Sequence, residues 1–145
     1  MHITGEWAGR ILIASLLITP LCSRAGWGQL IRLRRMLGLF VFFYASIHLL
    51  LFCHFYLGWD GLRVAEELVE RPFITVGFLA WLIMLPLAIT SNNRMQRKLR
   101  ATWRKLHRGV YAVALLFVLH VAWLTRSDYG AALFYGVVIF ALLAW

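Results

Sequence analysis

Two histidines sit deep in apolar sequence at matching distances from a basic boundary. His48 follows Arg35 by 13 residues and His120 follows Arg108 by 12. With both arginines at one membrane edge, a helical rise of about 1.5 Å per residue puts each imidazole roughly 18–20 Å into the bilayer. An ionisable side chain at that depth is costly and is normally kept for a function. Neutral imidazole is the commonest metal ligand and a standard axial ligand of haem iron, so two at one depth on two helices could share one iron. Small residues lie near each: Ala45 and Ser46 beside His48, and Ala122 and Gly109 along the helix of His120. The residues alone leave three readings open: a haem ligand pair, histidines bonded to a neighbouring helix without metal, and a proton relay.

His107 precedes His120 by 13 residues, which makes it about 20 Å shallower and leaves room for a second redox centre. The same spacing turns the two rings roughly 140° apart, so they need not face one helix. On the helix of His48 the matching depth falls at Arg34 and Arg35, which do not ligate iron. An inner site must complete its coordination differently, or hold something other than haem. Arg32, Arg34 and Arg35 precede a helix start, where backbone N–H groups add positive potential, and Arg108 lies at the same edge. Such a cluster suits haem propionates or a flavin phosphate, which arginine can grip with two parallel hydrogen bonds; its plainer reading is a topology anchor. His54 and His2 read as interfacial packing residues.

These side chains need membrane helices to carry them. The chain has 145 residues, 62% of them hydrophobic and only 14% charged, against about 45–50% apolar in an ordinary soluble domain. The pattern predicts an all-α integral membrane bundle forming a single domain over 1–145. Five spans are expected, over 7–22, 36–57, 73–90, 110–124 and 129–145. Pro86 is expected to kink the third, and a short amphipathic helix is expected between the second and third, where Leu62, Ala65, Leu68 and Val69 recur at helical spacing.

The net charge of +9 is a topology signal rather than a nucleic-acid footprint. Segment 23–35 carries four basic residues and segment 91–108 carries seven, of fifteen in all, and neither holds an acid. The positive-inside rule makes both cytoplasmic and turns loop 58–72 outward. Trp7, Trp59 and Trp123 then mark the outer edge, and Trp27, Trp103 and Trp145 the inner one. Arg10, one turn inside the first span, is expected to snorkel to the headgroups. Cys22 and Cys53 fall near opposite faces, so no disulfide is expected. Met1–Glu6 lacks the basic start of a signal peptide. There is no GxSxG, HExxH, CxxC or P-loop. All six acids lie at or beyond the outer face, which argues against proton pumping through buried carboxylates.

An ordered set of segments carries a family resemblance. It runs through Leu17-Ile18-Thr19-Pro20-Leu21, Ile31-Arg32-Leu33-Arg34-Arg35-Met36-Leu37-Gly38-Leu39 and Ala45-Ser46-Ile47-His48-Leu49. It continues in Arg71-Pro72-Phe73-Ile74-Thr75-Val76-Gly77, Leu87-Ala88-Ile89-Thr90-Ser91 and Met95-Gln96-Arg97-Lys98-Leu99, and ends with Trp103-Arg104-Lys105-Leu106-His107, Val110-Tyr111 and His120. The chain thereby resembles the MsrQ (YedZ) family of haem-binding membrane subunits, within the ferric-reductase-like transmembrane superfamily. The resemblance implies six spans, of which this chain would lack the first and stop within the last. It implies haem b, one or two, with His48, His107 and His120 as haem-associated histidines and Arg34-Arg35 as the family's double arginine; FMN is a further implied cofactor.

The implied location is the bacterial inner membrane, with lipid all round and no nucleic-acid partner. The implied function is electron transfer from the quinol pool or a cytoplasmic flavin reductase to an MsrP-like periplasmic molybdopterin reductase. That partner repairs methionine sulfoxide in oxidised periplasmic proteins, so no catalytic site for the sulfoxide is expected in this chain. The acids of the outer loop, Asp60, Glu66, Glu67 and Glu70, are a candidate docking patch. The rival readings are a stand-alone ferric or quinone reductase of cytochrome b type and a cofactor-free membrane scaffold.

Overall fold

The computed structural model describes residues 2–26, 30–124 and 130–144. Among them the chain is all-helical: α1 (His2–Ala25), α2 (Ile31–Phe52), α3 (Gly61–Glu70), α4 (Pro72–Ile89), α5 (Asn93–Leu99), α6 (Ala101–His107), α7 (Gly109–Leu124) and α8 (Gly130–Leu143). Four stretches are long and apolar enough to cross a membrane, at Ile3–Arg24, Arg32–Leu57, Pro72–Ile89 and Ala101–Leu124, and Gly130–Leu143 is a shorter fifth. Trp27, Trp145 and the expected outer loop 125–128 with Asp128 lie outside the described residues, as does the His2 side chain.

Local chemistry explains where the helices begin and end. α1 stops at Gly26, whose φ of +69° is the left-handed conformation that ends many helices. α2 runs into one π-helical turn, Cys53–Leu57, closed by Gly58 at φ +58°. The Asp60 side chain accepts from the Leu62 N–H at 3.0 Å and caps α3, the amphipathic helix expected in this loop. Pro72 opens α4 at a position where its missing N–H costs nothing. Pro86 falls in the last turn of α4, not at mid-helix, and the Thr90 hydroxyl bonds back to its carbonyl at 2.7 Å.

Segment 91–108, expected only as a basic loop, holds α5 and α6. Asn92 caps α5 by accepting from the Met95 N–H at 2.8 Å, and Arg100 at φ +46° turns the chain between the two helices. Their polar sequence lacks the apolar periodicity that would have announced them.

The five long helices close a ring. α1 packs on α2, α2 on α4, α4 on α7, α7 on α8, and α8 back on α1, with α1–α2 and α4–α7 the most extensive pairs. α2 and α7, which carry the two deep histidines, are not among the closely packed pairs. A buried cluster of Leu12, Leu16, Val41, Val113, Ala114 and Ile139 fills one part of the ring. Val41 and Val113 each precede a deep histidine by seven residues. Two equal helical offsets of about 10 Å from one packed layer put His48 and His120 at one level. Among the described residues, neither Cys22 nor Cys53 is in a disulfide.

Candidate cofactor cavity

Beside that buried layer, the ring encloses a cavity of about 460 Å³. This is a size typical of small-molecule and cofactor sites, about 300–1,000 Å³. Every long helix contributes to its wall: Gly5 and Ala8 from α1, Ala45 and His48 from α2, Gly77 and Trp81 from α4, Phe117 and His120 from α7, and Tyr135 from α8. The two histidines selected by depth therefore face one space. The gap between α2 and α7 is the cavity itself.

Each ring is seated on a glycine of the neighbouring helix. A Cβ built on Gly77 would meet His120 Cε1 and Nδ1 at 2.8 Å, and one on Gly5 would meet His48 Cε1 and Nδ1 at 3.2 and 3.3 Å. Each Nδ1 also has a partner. His120 Nδ1 donates to the Phe73 carbonyl at 2.6 Å, and the Thr4 hydroxyl lies 3.3 Å from His48 Nδ1. A carbonyl only accepts, so in the neutral His120 ring the lone pair resides on Nε2. Outer partners of this kind orient metal-binding imidazoles.

The remaining wall is mostly apolar. Trp81 stacks between Phe42, at 6.0 Å, and Phe78, at 6.1 Å, and donates its indole N–H to Ser46 Oγ at 2.9 Å. Ser46 in turn donates to the Phe42 carbonyl at 2.8 Å, so it braces Trp81 rather than making room beside His48. Ala45 does line the cavity; Ala122 and Gly109 do not, and Gly109 faces Ile83 and Leu87. The charged lining residues are Glu6 and Arg10, paired at 3.2 Å with both side chains about half exposed. Arg10 also lies over the Trp7 ring, 5.5 Å from its centroid.

His107 belongs to a different cluster. The Thr90 hydroxyl already donates to the Pro86 carbonyl, so it accepts from His107 Nε2 at 3.1 Å. Trp103 stacks on the His107 ring at 3.9 Å and donates its indole N–H to the Thr90 carbonyl at 3.0 Å. Arg34 is within electrostatic reach of the same ring. Arg35 turns instead to Asn93, which its guanidinium bonds, and Arg32 and Arg108 are exposed. The structure thus joins His48 with His120, and His107 with Arg34, and keeps the two sets apart. Among the described residues no three of His, Cys, Asp or Glu converge as a metal site.

At the other end of the bundle, Asp60 and Glu67 are engaged by Arg63 and Arg71 at 3.6 and 2.9 Å, while Glu66 and Glu70 are exposed. His54 accepts from the Trp59 indole at 3.2 Å on the exposed π-helical turn.

Comparison with known proteins agrees with this architecture. The family described as "Ferric reductase like transmembrane component" matches residues 4–118. The chain belongs to that ferric-reductase-like transmembrane family. The match takes in His48 and His107 and ends two residues before His120. Curated relatives extend the likeness over almost the whole chain. The protein-methionine-sulfoxide reductase heme-binding subunit MsrQ of Xanthomonas campestris pv. campestris (strain B100) is 47% identical over 144 residues. The subunit of the same name from Xanthomonas euvesicatoria pv. vesicatoria (strain 85-10) is 46% identical. In both cases the alignment covers 99% of this chain and 66% of the relative. The Bordetella pertussis (strain Tohama I) subunit is 44% identical, over 98% of this chain and 70% of its own length. The chain therefore spans about two thirds of the length of these relatives. No solved structure matches it.

Gly5, Gly77, Thr4 and the Phe73 carbonyl were not singled out from sequence. Gly77 had a signal, a glycine within an apolar span, which often marks a close approach. The carbonyl has none, because every residue carries one.

Proposed function

We propose that this chain is the haem-carrying membrane subunit of a methionine sulfoxide reductase system and passes electrons across the membrane to a separate reductase. One observation carries the reading: His48 and His120, from helices that are not among the closely packed pairs, face a single cavity lined by all five long helices. The residues fit a haem. Two imidazoles offer nitrogen ligands, glycines and alanines keep the slot open, and Arg10 supplies a cation for a propionate at the rim. When bound, haem b supplies a one-electron couple. His48 and His120 would hold the iron from two sides, and with both positions taken the group would serve electron transfer rather than oxygen binding. The protein's own work is to hold the rings, exclude water with the Phe42–Trp81–Phe78 stack, and balance charge at the rim.

The inner cluster of His107, Trp103 and Arg34, with Arg32, Arg35 and Arg108 nearby, suits electron entry. An anionic cofactor such as FMN, or a second haem, fits its charge. The donor in this reading is the quinol pool or a cytoplasmic flavin reductase. The basic segments 23–35 and 91–108 face the cytoplasm, and loop 58–72 faces the periplasm. The acceptor is an MsrP-like periplasmic molybdopterin enzyme that repairs oxidised periplasmic proteins, and Glu66 and Glu70 are the acids best placed to meet it.

The test is a reduced-minus-oxidised spectrum with haem quantitation on the purified chain. A b-type spectrum is expected, largely lost in His48→Ala and His120→Ala and retained in His107→Ala at the level of the outer haem. Full-strength haem in either of the first two variants refutes the ligand assignment. A folded, colourless protein favours a scaffold, and reduction by NADH without a partner favours a stand-alone reductase.

A further inference from the structure

We infer that Gly77 is a positioning residue that sets the tautomer of His120 by leaving the Phe73 carbonyl open to its ring. Residues 73 and 77 stand one turn apart on α4. In an α-helix the carbonyl of residue 73 accepts from the N–H of residue 77, and its second lone pair points outward. A helical side chain lies over the turn that precedes its own Cα, so any side chain at 77 lies over that lone pair. Glycine leaves it bare. His120 enters the gap, and its Nδ1 reaches the Phe73 oxygen at 2.6 Å. A Cβ at 77 would stand 2.8 Å from both Nδ1 and Cε1 of the ring, a separation that real Cβ atoms essentially never show.

The obstructing Cβ would be backbone-anchored on α4, while the ring borders the cavity and has room to move toward it. The ring must therefore withdraw, which lengthens and weakens its bond to the carbonyl. With that bond, Nδ1 holds the proton and Nε2 presents a lone pair; without it, the two tautomers compete. His48 is seated more loosely. The Cβ contacts at Gly5 are 3.2 and 3.3 Å, and the group at its Nδ1 is the Thr4 hydroxyl, which can donate or accept.

The consequence for iron ligation rests on the haem reading, but the tautomer does not, so the first measurement uses the chain without haem. The full chain is labelled with ¹⁵N-histidine, held in detergent at alkaline pH, and the His120 signals are assigned by their loss in His120→Gln. A single Nδ1–H tautomer is expected at His120. In Gly77→Ala a substantial Nε2–H population should appear. After haem loading, the ferric low-spin EPR signal of Gly77→Ala should shift or broaden relative to the unmodified chain. An Nε2–H tautomer in the unmodified chain overturns the proposal, and this holds even where Gly77→Ala does not fold. A folded Gly77→Ala with unchanged tautomer and EPR signal also overturns it. Failure to take up haem with the tautomer as expected counts against the haem reading instead.

Discussion

Replacing Thr4 by valine removes one hydroxyl from the partner side of His48 and keeps the side-chain shape. The Thr4 oxygen lies 3.3 Å from His48 Nδ1, a long contact for a neutral hydrogen bond. With Nε2 as the ligand nitrogen, Nδ1 would carry the proton and donate a hydrogen bond to the Thr4 hydroxyl. An acceptor at Nδ1 makes the imidazole more electron-rich and so favours ferric over ferrous iron. Polar contacts between membrane helices are worth about 0.6 kcal/mol on average and about 1.7 at most. The distance at Thr4 places it toward the lower end. If that energy is felt mainly by the ferric state, then at about 59 mV per 1.36 kcal/mol the midpoint potential rises by roughly 25 mV, and by no more than about 75 mV. The assay is a potentiometric titration followed at the reduced-minus-oxidised band, with haem content measured on the same sample. Valine still fills the space between α1 and the ring, so haem content should hold. An unchanged potential at full occupancy, or a fall, refutes the argument that Thr4 tunes His48 through Nδ1.

Two further outcomes follow from the same walls. Trp81→Phe removes the indole N–H that donates to Ser46, yet Ser46 keeps its own bond to the Phe42 carbonyl, so no donor is stranded. Unfolding in detergent should show a loss of about 0.6–1.7 kcal/mol plus a smaller packing term, with haem retained; loss of all haem would mean that Trp81 does more than line the wall. Arg10→Gln removes the cation from the cavity lining while leaving Glu6 in place. Transfer of haem to a scavenging apoprotein should quicken in Arg10→Gln and not in Glu6→Gln, and equal rates in both would remove Arg10 from the rim.

That His48 and His120 would face one cavity was legible because depth along a membrane helix is linear in residue number. Equal counts from Arg35 and Arg108 sufficed, and the packed layer of Val41 and Val113 repeats the equality from the other direction. The five apolar helices, the amphipathic α3 and the separation of His107 from the deep pair were legible for the same reason: each follows from periodicity or spacing within one element. α5, α6 and the π-helical turn were not, since a basic helix at an interface and one extra residue in a helical turn leave no apolar pattern behind.

What sequence could not supply was adjacency. Residues 4 and 48 are 44 apart, and 73 and 120 are 47 apart; nothing local relates them. Whether Gly77 faces lipid or an imidazole depends on α4 lying against α7, and whether Thr4 meets His48 depends on α1 lying against α2. Ser46 and Ala45 are neighbours in the chain, yet one braces an indole and the other lines the cavity, because adjacent helical positions point about 100° apart. Sequence alone determined which residues reach the same depth. Tertiary packing decided which of them share a space and which ring nitrogen of His120 bears the proton, since both depend on the angular order of helices around the ring.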